Sequence, residues 1–272
     1  MIRMFMSTDV AGSTAFKASS SGKGDGTGWL DVFRAFFSSY PIMVMGQVGM
    51  EFLDEDTLPE VAVWKFMGDE AIFTCKPSSP EEVTLLVRAH FNAMAAYEQE
   101  YLADLPLRLK GTAWLARFPS PNIEVEVPEL AKDVGTTPTD FIGPDIDLGF
   151  RITKFASPSA VAVSLDLLDV VLRADNRDLL DFYLVGREEL KGVLFGRPYP
   201  VVWARASEAP PGFMPWEIDD SPMVAKAVAE GPTAPAALNE TIDAVRLYLR
   251  KMHGAARPPL VFDRPPELKV AS

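Results

Sequence analysis

Short apolar runs bounded by turn residues alternate along the chain with longer stretches whose apolar residues recur at helical spacing. The short runs predict strands, which we place at residues 2–9, 61–75 (a hairpin), 107–117, 160–164 and twice within 180–205. The longer stretches predict helices, which we place at about 29–49, 81–104, 145–156, 166–174, 221–230 and 236–253. The alternating segment NIEVEV predicts one further, half-exposed strand.

The alternation of strands with helices predicts an α/β fold, an α+β sandwich built on one sheet. Residues 17–28 form a polar, Gly/Ser-rich insertion that is expected to be mobile. Pro41 lies inside a helical pattern, so we expect it to interrupt that helix or to fix its course. Proline and alanine become frequent beyond Ser207, which divides the chain into a main domain, 1–206, and a helical C-terminal appendage, 207–272.

The charge balance argues against one class of partner. Acidic residues outnumber basic ones, 38 to 26, and give a formal net charge of −12, whereas a nucleic-acid-binding surface needs a basic footprint. No run of 18 apolar residues occurs, so we expect no membrane span, no membrane partner and a cytoplasmic location. The single cysteine excludes an intrachain disulfide, and the two histidines are too few for a histidine-based zinc site.

Two aspartates carry the candidate chemistry: Asp9 ends an apolar strand pattern, and Asp69 lies in the turn of the predicted hairpin. Carboxylates at such places are costly unless a cation neutralises them. Two of them brought together would form an all-oxygen site suited to Mg²⁺ or Mn²⁺. The turn after Asp9 contains Gly12, Ser13 and Thr14, whose N–H groups suit phosphates, although Ser13 and Thr14 suit a helix cap equally well. The pattern indicates metal-assisted chemistry on a nucleoside triphosphate.

Other charged residues have ordinary explanations when each is considered alone. Asp147 and Arg151 are four residues apart on a predicted helix, which is the spacing of a surface ion pair. Lys65 suits an edge strand, and Lys191 suits a solvated turn. His90 falls in an amphipathic run, so we expect it on a helix surface or at a helix–helix contact. The order of the motifs around these residues changes their interpretation.

Four short motifs, in this order, resemble those of the class III nucleotide cyclases, the family of the adenylate and guanylate cyclases. The family patterns D-[IV]-x-G-[FS]-T, K-x-x-G-D-[ES], D-x-x-G-x-x-V-N-x-x-x-R and L-K-G correspond to residues 9–14, 65–70, 140–151 and 190–192. Each motif alone is weak, but the four in order over residues 5–203 are specific. The resemblance implies a class III cyclase catalytic domain in residues 1–206: one mainly antiparallel sheet, helices packed on it, and a ferredoxin-like core.

The resemblance also implies a metal centre. Asp9 and Asp69 would hold two divalent cations, Mn²⁺ or Mg²⁺, with the carbonyl of Val10 as an additional ligand. One ion would activate the ribose 3′-hydroxyl and the other would bind the triphosphate. The products would be a 3′,5′-cyclic nucleotide and pyrophosphate.

The remaining site residues take their roles from the same resemblance. Arg151 would stabilise charge in the transition state, Lys191 would bind the terminal phosphates, and Lys65 and Asp140 would read the base. Asp147 replaces the family's ribose-orienting asparagine, and this departure leaves a changed ribose contact, a slower enzyme and an altered base preference all open. Family sites lie across a head-to-tail homodimer, with the metal ligands on one subunit and the base, ribose and lysine contacts on the other, so a homodimer with shared sites is expected.

The choice of base depends on two further features. Lys65 and Asp140 are the pair that reads adenine in adenylate cyclases, so ATP and cyclic AMP are a candidate. No receptor, phosphorelay or membrane module is recognisable, and in this respect the chain is similar to the pyrimidine cyclases of the bacterial Pycsar anti-phage systems. Bulky Phe66 and Phe150 beside the expected pocket also suit a smaller base. We therefore expect UTP first and CTP second, with the product serving as a second messenger in anti-phage defence.

Two other classes of protein remain open. A catalytically degenerate cyclase homologue would bind nucleotides without turning them over, but such a protein would be expected to lack a metal ligand or the arginine. Asp9, Asp69 and Arg151 are all present. A metal phosphohydrolase or a diguanylate cyclase also uses paired carboxylates. Diguanylate cyclases have a doubled-glycine turn before the acidic pair, whereas this turn reads Met67-Gly68.

Overall fold

The computed structural model describes residues 1–20, 28–127, 138–210, 212–254 and 257–262. The strands are β1 (Ile2–Ala11), β2 (Ala62–Met67), β3 (Glu70–Cys75), β4 (Arg108–Arg117), β5 (Ile123–Glu126), β6 (Thr139–Ile142), β7 (Val161–Val163), β8 (Leu180–Glu188) and β9 (Tyr199–Ala206). The helices are α1 (Ser13–Ser20), α2 (Gly28–Glu51), α3 (Pro80–Tyr97), α4 (Pro144–Ile152), α5 (Leu165–Val171), α6 (Pro215–Asp220), α7 (Pro222–Glu230) and α8 (Pro235–His253).

Seven strands form one sheet in the order β2-β3-β1-β4-β7-β9-β8. Every neighbouring pair is antiparallel except β4 and β7, which are parallel. β5 and β6 pair with each other as a separate antiparallel ribbon. The predicted α/β fold with one mainly antiparallel sheet and packed helices is confirmed.

Alternation along β1 gives the sheet two different faces, because successive side chains of a strand point in opposite directions. Met4 and Met6 belong to the main hydrophobic core, which includes residues of α2 and α3. Phe5, between them, belongs to a second cluster with Trp114 of β4 and Phe141 of β6. The β5–β6 ribbon and α4 therefore cover part of the face opposite α2 and α3.

The structure corrects several predicted boundaries. Residues 17–20 are the last turn of α1 rather than part of an irregular insertion, and the rest of that insertion, 21–27, lies outside the described residues. α2 continues through Pro41, which is buried inside the helix and does not end it. The helix predicted over 81–104 ends at Tyr97 and continues as a π-helical turn, and the one predicted over 145–156 ends at Ile152 and continues as a 3₁₀ turn. Strand β6 was not predicted.

The C-terminal helices pack on the rest of the chain. Leu238 and Ile242 of α8 belong to the main core, together with Leu260. Val224 of α7 belongs to a third cluster that includes Trp203 of β9. The domain division at residue 206 stays a prediction. No helix among the described residues has both the length and the apolar character needed to cross a bilayer.

Candidate active site

A polar cleft of about 240 Å³ lies where β1 ends, and Asp9, Asp69 and Glu70 line it. Asp9 is the last residue of β1 to pair with β3, and its partner there is Glu70. Asp69 immediately precedes Glu70 in the β2–β3 turn, where Gly68 adopts a positive φ of 65° that glycine accommodates without strain. The fold therefore places both predicted metal ligands beside the same cleft.

Two lysines neutralise these aspartates. Lys110 Nζ lies 2.8 Å from Asp9 Oδ2, and Lys17 Nζ lies 3.7 Å from Asp69 Oδ2. Lys110 is the register partner of Asp9 across β1 and β4, whereas Lys17 comes from the last turn of α1. Sequence reasoning missed both lysines, because neither belongs to a motif and the contact of Lys110 depends on strand register.

Glu70 is the third carboxylate of the cleft, and sequence reasoning did not assign it a role. Burial raises the pKa of its carboxyl group, and the charges of Asp9 and Asp69 act in the same direction, against a hydrogen bond from Ser7 and the charge of Lys110. Its Oε1 atom is buried and has no hydrogen-bond partner among the described residues. An unpartnered acceptor that shares a cleft with two aspartates marks a place where a cation would be favourable.

The carboxylates of the cleft suit the divalent cations that the sequence predicts. No three His, Cys, Asp or Glu side chains of the described ranges converge as a ready-made metal site. Carboxylate oxygens are nevertheless the ligands that Mg²⁺ and Mn²⁺ prefer, and Mg²⁺ commonly takes one or two protein carboxylates plus substrate phosphates. Asp9 and Asp69, which line the same cleft, fit that pattern as a pair of carboxylates. Val10 is in β1, paired with Leu109 of β4, and the role of its carbonyl stays a prediction.

The predicted phosphate turn follows β1 directly along the chain, and Gly12, Ser13 and Thr14 are not among the described residues that line the cleft. Gly12 has a φ of 85°, and a Cβ there would lie 2.9 Å from the carbonyl oxygen of Pro106, so the turn requires glycine. α1 begins at Ser13, which is buried, whereas Thr14 is exposed. The first turn of a helix has N–H groups without intrahelical partners and suits an anion. The turn leads into α1, and Lys17 in the last turn of this helix contacts Asp69.

Lys65 and Asp140, the predicted base-reading pair, are in contact. Lys65 Nζ lies 3.0 Å from Asp140 Oδ1, and it stands 3.9 Å from the centre of the Trp64 ring and 5.9 Å from that of Phe150. Phe66, in contrast, packs on the ring of Phe37 of α2. The aromatic rings near the Lys65 ammonium group are therefore those of Trp64 and Phe150.

Asp147 and Arg151 both lie on α4. This helix packs closely on the sheet at Gly149, where a Cβ atom would collide with the indole of Trp114. Asp147 is exposed and Arg151 is half-buried. Neither makes an ion pair with the other, and in the described part of the chain no carboxylate lies within ion-pair distance of Arg151 or of the exposed Lys191. Their cationic groups are therefore available to an anionic ligand.

The predicted residues fall into separate groups within one chain. Asp9 and Asp69 share the cleft, whereas Lys65, Asp140, Asp147, Arg151 and Lys191 do not line it among the described residues. Thr153 and Lys154, which follow α4, also line the cleft. Two larger cavities, of about 320 and 660 Å³, adjoin Glu98 and contain none of the predicted residues.

Comparison with known proteins gives a likeness of fold. No protein-family model matches the sequence, and no curated protein matches it. Among solved structures, the chain is similar to the adenylyl cyclase CyaB from P. aeruginosa, with 13% identity, a TM-score of 0.53, and coverage of 78% of this chain and 97% of that one.

Two other solved structures give the same result. The guanylate cyclase domain of RhGC from Catenaria anguillulae, solved in complex with GTP, is 10% identical, with a TM-score of 0.53 and coverage of 75% of this chain and 96% of that one. Adenylate cyclases from Trypanosoma brucei, solved in their monomeric state, are 16% identical, with a TM-score of 0.51 and coverage of 78% and 91%. At these identities the likeness establishes the class III cyclase fold.

Proposed function

We propose that this protein is a nucleotide cyclase that converts a nucleoside triphosphate, UTP first and CTP second, into its 3′,5′-cyclic monophosphate. The observation that supports the proposal is a cleft, on a cyclase fold, that Asp9 and Asp69 both line. The order of the four motifs supports it. A role in anti-phage signalling is supported by the resemblance to the Pycsar cyclases alone.

The reaction balances as an intramolecular displacement. The ribose 3′-oxygen forms a bond to the α-phosphorus, the bond from the α-phosphorus to the oxygen bridging the β-phosphorus breaks, and pyrophosphate leaves with that electron pair. The 3′-hydroxyl proton passes to solvent. Two bound divalent cations would supply activation of the hydroxyl and neutralisation of the triphosphate.

The chain's own groups would hold and orient the substrate. Asp9 and Asp69 would bind the cations, and Glu70 would add negative charge beside them. The Gly12–Ser13 turn would donate N–H groups to phosphate oxygens. Lys110 and Lys17, which neutralise the aspartates in the free protein, would be released toward the phosphates.

The separation of the predicted residues supports a shared site. Arg151, with no ion pair in the described part of the chain, would stabilise charge on the phosphoryl oxygens, and Lys191 would bind the terminal phosphates. Asp147 would contact the ribose. Because these side chains do not line the Asp9 cleft of their own chain, we propose a homodimer in which each chain completes the site of the other.

The surroundings of Lys65 support a small base. Trp64 and Phe150 flank its ammonium group, and bulky rings beside the base-reading pair leave less space for a purine. The alternative is an adenylate cyclase making cyclic AMP. It is favoured by the Lys65–Asp140 contact itself, since this is the pair that reads adenine in adenylate cyclases.

The test is a product analysis. The protein is incubated with Mn²⁺ and each of the four nucleoside triphosphates, and products are separated and identified by mass. We expect cyclic UMP with an equal amount of pyrophosphate from UTP, less product from CTP, and none with Asp69→Asn. ATP as the sole productive substrate would replace the pyrimidine assignment with the adenylate one. Linear mono- or diphosphates would overturn the cyclase assignment.

A further inference from the structure

Arg257 lies between two helix starts. Its Nη2 atom is 2.7 Å from Asp145 Oδ1, in the first turn of α4, and 2.9 Å from Asp166 Oδ2, in the first turn of α5. Asp145 is only 2% exposed. A carboxylate removed from water to this extent needs a cationic or hydrogen-bonding partner. Arg257 is the cation that meets it.

The opposite side of Asp145 is held by Asn122, in the segment between β4 and β5. Asn122 Nδ2 donates to Asp145 Oδ2 at 2.7 Å, and the Asp145 N–H donates to Asn122 Oδ1 at 3.0 Å. Gly143, immediately before α4, touches Asn122 so closely that a Cβ there would collide with it. The start of α4 is therefore fixed by Asn122 on one side and by Arg257 on the other.

Residues 257–262, here called the C-terminal segment, are anchored independently of this contact. Leu260 is 2% exposed within the main core. Arg173, just after α5, donates from Nη2 to the carbonyl oxygen of Leu260 at 3.0 Å. Arg257 also lines a cavity of about 190 Å³ together with Leu148 of α4 and Gly192, next to Lys191. The segment thus contacts α4 through Asp145 and shares a cavity with the residue that follows Lys191.

We propose that the C-terminal segment sets the position of α4, with Arg257 as the positioning residue. α4 carries Arg151, six residues beyond Asp145, which corresponds to about 9 Å along a helix. A shift at the start of α4 moves the Arg151 guanidinium with it. The effect on catalysis rests on the proposed function, since it matters only if Arg151 contacts the reacting phosphates. The tether, meaning the Arg257 contact that holds the start of α4, does not depend on the proposed function.

The ion pair between Arg246 and Asp169 provides a control that distinguishes the positioning of α4 from a general loss of stability. Arg246 Nη2 of α8 lies 2.7 Å from Asp169 Oδ2 of α5 and touches no residue of α4 by an ion pair. Asp169 keeps Arg173 as a second partner at 2.8 Å, so Arg246→Gln leaves that carboxylate paired. Arg257→Gln removes ion pairs to two carboxylates, one of which is on α4, whereas Arg246→Gln removes one ion pair, to α5.

The experiment combines hydrogen exchange with kinetics on the full chain. In Arg257→Gln we expect amide exchange across 144–152 to rise, kcat to fall about tenfold and KM to change little, since small misplacements of a catalytic group are costly. Arg257→Lys should recover most of kcat. Arg246→Gln should leave exchange in 144–152 and kcat unchanged. If Arg257→Gln does not fold, Asp166→Asn removes one of the two carboxylates facing Arg257, and we expect the same rise in exchange.

The outcomes separate the two proposals. Unchanged exchange in 144–152, or an equal rise in Arg246→Gln, would overturn the tether. A rise in exchange with a wild-type protein that cyclises none of the four nucleotides would leave the tether standing and remove the proposed function. A rise in exchange with unchanged kcat would overturn the positioning role of Arg257.

Discussion

Lys65 Nζ lies 3.0 Å from Asp140 Oδ1, although the two residues are 75 positions apart. Lys65 is on β2, the edge strand of the main sheet, and Asp140 is on β6, outside that sheet. The packing of Phe141 against Trp64 and Phe5 holds the β5–β6 ribbon over this face. The contact assembles the predicted base-reading pair within one chain.

Lys65→Gln and Asp140→Asn should change nucleotide selectivity. Each removes a hydrogen bond between a charged group and the base, which is worth about 1.5–3 kcal/mol, so kcat/KM for the preferred nucleotide should fall about 10- to 100-fold. The unfolding temperature should change little, because the two side chains are 32% and 47% exposed and such pairs add little stability. Arg3→Gln, which breaks the nearby Arg3–Glu124 pair at 2.7 Å, should leave selectivity unaltered. Identical activity ratios over the four nucleotides in all variants would contradict the base-reading role.

Asp69→Asn should abolish metal-dependent turnover. The substitution keeps the size of the side chain but removes a charged ligand, and we expect kcat to fall by about 10²-fold or more, in line with losses for groups that stabilise transition-state charge. Thermal stability should stay near that of the wild type, since among the described residues the ion pair of this carboxylate is the one with Lys17 at 3.7 Å. Asp31→Asn, on the exposed surface of α2, is the matched control. Retention of activity by Asp69→Asn at saturating Mn²⁺ would remove Asp69 from the metal centre.

Acid should destabilise the protein through His90. Burial lowers the pKa of its ring from the ordinary 6.5 to about 4, against a hydrogen bond to the Ser7 carbonyl. The folded state holds the ring neutral while the unfolded state binds a proton below pH 6.5, so stability is full above pH 6.5 and is lost as pH falls towards 4. At about 1.4 kcal/mol per pH unit, the loss reaches about 3 kcal/mol.

Two measurements check this behaviour. Denaturant unfolding between pH 7 and 4 should give a steeper loss of stability for the wild type than for His90→Gln. In an NMR titration, the His90 ring resonance is identified by its absence in His90→Gln. Its chemical shift should stay that of a neutral ring down to about pH 4. A ring that titrates at its ordinary value would show that His90 is hydrated in solution.

Two inactive variants should complement each other if the site is shared. A heterodimer of Asp69→Asn with Arg151→Ala contains one site in which both lesions meet and one site in which both residues are intact. We expect up to half of the wild-type activity per dimer at equal occupancy. Mixing Asp69→Asn with Asp9→Asn should give none, because each site then has a damaged metal centre. No recovery in a verified heterodimer of the first pair would count against the shared site.

The sequence alone points to Asp9 and Asp69 but not to the lysines that contact them. Asp9 and Asp69 stand out because a charged residue interrupts an apolar strand pattern, and this signal is local. Lys110 is 101 positions from Asp9 and meets it only through the register of β1 on β4, which no local pattern specifies. Glu70 appears in the quoted motif, but its place opposite Asp9 depends on the pairing of β3 with β1.

Two errors in the predicted fold, the missing strand β6 and the position of His90, also have physical causes. β6 has only the four residues Thr139–Ile142, and it is stabilised by pairing with β5 rather than by its own alternation. His90 was expected on a helix surface or at a helix–helix contact; it is instead fully buried against the sheet, with Nε2 at 3.1 Å from the Ser7 carbonyl oxygen. α3 is buried on most of its circumference, so its hydrophobic spacing does not distinguish the face that meets the sheet from the face that meets a helix.

The most direct test of the metal centre is a crystal structure of the protein with Mn²⁺ and a triphosphate analogue that cannot cyclise. We predict anomalous manganese density between the carboxylates of Asp9 and Asp69, with the triphosphate over the Gly12–Ser13 turn. Manganese bound elsewhere, or these two carboxylates turned away from any ion while the analogue is bound, would contradict the account.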